Sequence, residues 1–271
     1  MSGSDVLSVR SARVQAVRRL TKRTFRNRER RFLAEGPQAV REAVESPGGV
    51  LQVFATREAA GRHGDIMATA TASGADVAVV SPEILAAVSQ TVTPQGIAAV
   101  CPFLDVPLDQ VVQSGPRLVV VLADARDPGN AGTVIRTADA AGADAVVMAG
   151  ATVDPYNGKC VRASAGSIFH LPLSIHAAVD DAMRALRSVG LQVLAADGDG
   201  AEDLDEAADR GRLDGATAWV FGNEAWGLPA ATRDLADRVV SVPIHGRAES
   251  LNLATAAAVC LYASARAHRR S

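Results

Sequence analysis

Three short stretches of this chain hold the residue types that chemistry needs. The first is Asp127-Pro128-Gly129-Asn130-Ala131-Gly132-Thr133-Val134-Ile135-Arg136-Thr137-Ala138, which sets an amide and a guanidinium six residues apart. Gly129 and Gly132 permit a tight turn and close approach of the backbone to a ligand. Asn130 is expected to cap the helix that follows, whose N-terminus favours anions, and Arg136 adds a planar fork for a phosphate or hydroxyl. The second stretch, Phe221-Gly222-Asn223-Glu224-Ala225-Trp226-Gly227-Leu228, places the Glu224 carboxylate in a turn, where it can hold an amide, a ribose hydroxyl or a guanidinium. The third runs from Val242 through Pro243 and Ile244 to Ser250-Leu251-Asn252-Leu253, with Ser250 expected as the cap of a long helix. Each residue also has a plain structural account. Asn130 and Ser250 suffice as caps, Asn252 as a first-turn hydrogen bonder, Arg136 as a surface ion-pair residue and Glu224 as a turn carboxylate. Trp226 reads as a packing residue and His245 as a loop residue.

The elements that must position these stretches follow from periodicity. Apolar runs at Leu118–Leu122, Ala145–Met148, Leu191–Ala195, Ala218–Phe221 and Val239–Val242 read as buried strands. Helices fill the gaps, with 177–189 and 251–267 the most periodic. Strict alternation of this kind predicts an α/β fold with a parallel sheet covered on both faces. Ligands in such sheets bind at the carboxyl ends of strands, and all three stretches fall there. Before them, residues 31–103 read as a smaller α/β domain of alternating short strands and helices. Residues 1–30 form a basic extension, 104–116 an interdomain linker rich in Pro, Ser and Gly, and 117–271 the larger domain.

Composition bounds the function. The 271 residues are 48% apolar and only 4% aromatic, enough for two cores. Cys101, Cys160 and Cys260 lie far apart, which argues against a disulfide framework or a zinc site and for a reducing, cytoplasmic compartment. No apolar run reaches membrane-spanning length. The net charge of -2 conceals an asymmetry: ten of the 28 Lys and Arg residues lie between Arg10 and Arg31, against the single acid Glu29. A solvated helix face and a transit peptide are both possible readings of this run; contact with a polyanion is the reading adopted. Dinucleotide or nucleoside-triphosphate chemistry has no support. No GxGxxG follows the first strand of the larger domain, and Lys22 and Lys159 are the only lysines.

In order and content, the three stretches resemble the motifs of the SpoU/TrmH family (SPOUT superfamily) of RNA 2′-O-ribose methyltransferases. The layout of residues 31–103, with its Phe32-Leu33-Ala34-Glu35-Gly36 turn, resembles the ribosomal-protein-like RNA-binding domain that many of these enzymes carry. The resemblance implies a C-terminal parallel sheet with a deep trefoil knot, against the general avoidance of knots. It also implies S-adenosyl-L-methionine as methyl donor, a ribose 2′-hydroxyl of RNA as acceptor, no metal and a homodimer. It casts Arg136, Asn130, Glu224, Ser250 and Asn252 as catalytic, with Arg136 activating the hydroxyl. Main-chain groups at Val242, Ile244 and Leu251 would contact the adenosyl moiety, and Gly222 would leave room for it. The folded N-terminal domain favours 23S ribosomal RNA as substrate. The alternatives are a tRNA 2′-O-methyltransferase and a non-catalytic RNA-binding protein on the same scaffold. A free arginine is a poor base, its pKa lying above ~12, so either Arg136 is depressed by its surroundings or it aligns the hydroxyl while a substrate phosphate takes the proton.

Overall fold

The computed structural model describes residues 7–270, which divide into two compact units. One comprises the chain up to Leu104 together with Asp154–His170; the other comprises Asp105–Val153 and Leu171 onwards.

The first unit has a four-stranded sheet in the order Arg31–Glu35, Ile97–Pro102, Gln52–Thr56, Asp76–Val80. The first three strands pair antiparallel and the last pair is parallel. The basic run is folded into this unit. It forms helices Ala12–Arg19 and Arg23–Glu29, and Val14, Val17 and Leu20 enter a core shared with Leu33, Phe54 and Leu85. Arg26 is buried. Its Nε and Nη2 donate to Asp154 Oδ2 at 3.0 and 2.5 Å, and its Nη1 donates to the carbonyls of Leu20 and Thr21 at 2.8 and 2.9 Å. Arg13 pairs with Asp76 and lies over the Phe54 ring. The other eight cations of the run remain exposed. Segment 154–170 joins the unit through aromatic rings as well as this ion pair. Phe103 stacks on Tyr156 with centroids 3.9 Å apart, and Phe32 meets Tyr156 and Phe169 at 4.7 and 5.9 Å. Four of the chain's ten aromatic residues thus gather in one cluster, where each pair adds roughly 0.5–1.5 kcal/mol beyond area burial.

The second unit is a seven-stranded, wholly parallel sheet. Its order is Leu173–Ile175, Ala145–Ala149, Leu118–Ala123, Thr217–Phe221, Gln192–Ala196, Arg238–Ser241, Glu202–Asp203. The central strands, LVVVLA and TAWVF, are buried along their whole length, as strands covered on both faces must be. The two edge strands, of three and two residues, are too short to leave a periodic trace in the sequence. Within 104–116, the expected linker, Leu108–Gln113 forms a helix that buries Val111.

Candidate active site

Strands Leu118–Ala123 and Thr217–Phe221 lie side by side, so the first two motifs leave the sheet next to each other. Asp127 caps helix Pro128–Ala141 by accepting from Asn130 N at 2.8 Å, with Pro128 in the first turn, where its missing N–H costs nothing. The cap is therefore Asp127 and not Asn130 as expected, which frees the Asn130 side chain. Its Nδ2 donates to Glu224 Oε1 at 3.0 Å, and its Oδ1 accepts from Asn252 Nδ2 at 3.1 Å. Asn252 in turn caps helix Leu253–His268, accepting from Ala254 N at 2.9 Å and Thr255 N at 3.4 Å. Ser250, the expected cap, lies two residues upstream, outside the helix. One amide thus links all three motifs.

The second motif is a closed turn. Asn223 and Gly227 exchange both backbone hydrogen bonds, at 3.0 and 2.8 Å. The Asn223 side chain accepts from Ala225 N at 2.8 Å and donates to the Asp124 carbonyl at 2.9 Å. Gly222 is required by close packing: a Cβ there would fall 2.4 Å from the Gly227 carbonyl carbon. Trp226, expected to pack, is instead 54% exposed at the tip of this turn.

These residues border a cavity of about 510 Å³, within the range of sites that bury a small molecule. Asn130, Glu224, Ser250, Asn252, Gly222, Val242, Ile244 and Leu251 all line it. Arg136 does not. Six residues at 100° each carry it about 240° around the helix from Asn130, and it stands exposed. The cavity's charged lining residues are Asp197, Glu224 and Glu249, three carboxylates with no Lys, Arg or His among them. Asp197 is partly neutralised by Arg233 at 3.4 Å. A lining that combines apolar Val242, Ile244 and Leu251 with carboxylates suits a ligand that is part aromatic and part cationic. Asp197 and Glu249 carried no signal in sequence, being loop acids outside any pattern. Asp127 did carry one, since an acid before proline marks a helix start.

Residues 117–262 match the SpoU rRNA Methylase family, and residues 11–99 match the MRM3-like substrate binding domain. A 23S rRNA (guanosine(2553)-2′-O)-methyltransferase, RlmP of Bacillus subtilis, is 34% identical over 261 residues, covering 95% of this chain and 98% of the relative. A 23S rRNA (uridine(2479)-2′-O)-methyltransferase of Streptomyces viridochromogenes is 31% identical, covering 95% of each. Among solved structures, the SpoU methyltransferase AviRb from Streptomyces viridochromogenes in complex with AdoMet superposes with a TM-score of 0.84. It is 31% identical, covering 96% of this chain and all of that one. The AdoMet-bound rRNA methyltransferase of Sinorhizobium meliloti superposes with a TM-score of 0.83 at 30% identity, covering 96% and 97% of the two chains.

Proposed function

The chain belongs to the SpoU rRNA methylase family, and from that premise we propose that it methylates a ribose 2′-hydroxyl of 23S ribosomal RNA, with S-adenosylmethionine as donor. The observation that carries this reading is the donor cavity. It unites eight motif residues, and its carboxylates suit the sulfonium and ammonium charges of that molecule. S-adenosylmethionine supplies a methyl group already activated for transfer, so the protein has to bind, orient and manage one proton. Val242, Ile244 and Leu251 would border the adenosyl moiety, with Gly222 keeping the turn behind it close-packed. Glu224, Asn130 and Asn252, tied in one hydrogen-bonded chain, would fix the polar edge of the site, with Ser250 beside them. Arg136 would align the 2′-hydroxyl and favour its deprotonation.

Because Arg136 stands outside its own chain's cavity, it would act in the site of a second copy. Support for a homodimer comes from helix Leu253–His268, which packs along the Arg136 helix. Its outer stripe is Thr255, Val259, Tyr262 and Arg266, with Val259 and Tyr262 40% and 49% exposed. A two-fold contact through such a face is self-complementary. The N-terminal unit would dock the RNA, and the exposed cations of its first helices favour phosphate contacts. A trefoil knot in the larger domain and a cytoplasmic location complete the reading. Among the described residues no helix is long and apolar enough to cross a membrane. The test is transfer of tritiated methyl to total RNA, followed by mapping of the modified nucleotide. Absence of label in 23S RNA would overturn it.

A further inference from the structure

Two residues beside the site have no part in the roles above. Trp226 stands two residues beyond Glu224, and Arg126 immediately precedes the helix cap Asp127. The Arg126 guanidinium lies 5.0 Å from the centroid of the Trp226 ring. Single exposed apolar side chains are ordinary on protein surfaces. Three features set this one apart. The indole is 54% exposed in a chain whose other tryptophan, Trp219, is fully buried with its N–H donated to Ser264 Oγ at 2.9 Å. It is carried on a turn closed by two backbone hydrogen bonds and pinned by Asn223, with Gly227 supplying the left-handed residue at φ +65°. And its partner is a cation, next to a cavity whose own charged lining is entirely acidic.

We propose that Trp226 and Arg126 form a stacking platform for a base of the RNA strand that bears the target ribose. The indole takes the face of the base, and the guanidinium takes the adjoining phosphate. This rests on the RNA methyltransferase reading. Unpaired bases are recognised by stacking on aromatic rings and guanidinium planes, and every base has a face to offer. The acidic cavity repels phosphates, so the strand has to be held beside it, where the Glu224–Gly227 turn carries Trp226 and, over its ring, the Arg126 guanidinium. A rigid turn keeps the ordering cost of the platform low.

The test uses the full-length protein and two readouts. Trp226 is the only exposed indole among the described residues, so adding single-stranded ribosomal RNA should quench its emission and shield it from acrylamide, leaving the Trp219 signal. Trp226→Ala should raise the KM for RNA about 5- to 150-fold, the range for loss of one stacked base. The same variant should leave S-adenosylmethionine affinity and oligomeric mass unchanged. Trp226→Phe should hold KM within about threefold of wild type, and Arg126→Ala should flatten the salt dependence of RNA binding by about one unit of log–log slope. An unchanged KM in Trp226→Ala overturns the platform. So does a fall in mass, which would make the patch a subunit contact, or a loss of donor binding, which would make it a cofactor wall. Methyl transfer with an unquenched Trp226 overturns the platform alone. Quenching without transfer upholds the platform and overturns the catalytic reading.

Discussion

Arg26→Ala should destabilise the N-terminal unit by about 3–5 kcal/mol, the usual cost of removing one partner of a buried ion pair. Four contacts disappear at once. Asp154 Oδ2 loses both donors, and the carbonyls of Leu20 and Thr21 each lose one. Asp154 keeps only its bond from Tyr156 N, at 2.9 Å, while 8% of its side chain is exposed. The unit has about 120 residues, so its unfolding entropy is about 0.25 kcal/mol/K and the loss corresponds to a midpoint lowered by about 12–20 °C. Calorimetry of the full chain would resolve it as an early transition. Arg26→Met combined with Asp154→Leu should recover at least half of the loss, because no unpaired charge remains, although the two carbonyls stay unmet. The competing account treats Arg26 as one of ten equivalent phosphate ligands. It expects weaker RNA binding with a midpoint within about 3 °C of wild type, and that result would refute the structural argument.

Arg136→Ala should abolish methyl transfer while leaving S-adenosylmethionine affinity within a few-fold by calorimetry, since its proposed contact is with the acceptor hydroxyl and not with the donor. Asn252→Asp keeps the acceptor that caps helix Leu253–His268 but puts a second acceptor against Asn130 Oδ1, so activity should fall with little change in melting temperature. Asn252→Ala should lose about 0.5–2 kcal/mol of stability as well. Light scattering at micromolar concentration should report about twice the 28.0 kDa chain mass, and an active monomer would contradict the shared site. Burial pushes the Cys101 thiol up and the Cys260 thiol up to about 12. Both are thus neutral in the folded protein at pH 8 and should resist a thiol reagent until urea is added. A raised thiol pKa stabilises fully at pH values below the unfolded thiol's pKa and less at each step above it, so stability should decline as pH rises from the ordinary thiol range towards 12.

Much of this was legible in the sequence because the central strands are continuous apolar runs and the motifs sit at their ends. What escaped was set by competition between neighbours. Asn130 and Ser250 are both good capping residues, yet Asp127 and Asn252 take the caps, and only the three-dimensional path of the chain decides which oxygen meets the free N–H groups. Trp226 looks like core because tryptophan usually is, whereas a four-bond turn fixes it outward. The basic run looked like a charged extension because its cations outnumber Val14, Val17 and Leu20, the three residues that anchor it. Segment 154–170 carried no sign of its unit, since Asp154, Tyr156 and Phe169 find their partners more than 100 residues upstream or, for Tyr156, also at Phe103.

The long reach of that last segment governs how the protein is made. Arg26 leaves the ribosome 128 residues before Asp154. At roughly 5–20 residues per second, that is about 6–26 s during which a guanidinium destined for the interior has no counter-charge. The N-terminal unit completes its core only after two strands of the larger sheet, Leu118–Ala123 and Ala145–Ala149, have been synthesised. A fragment ending at residue 104 should accordingly be a poor folder and a client for chaperones, and grafting that fragment onto another enzyme would leave behind the piece that closes its core.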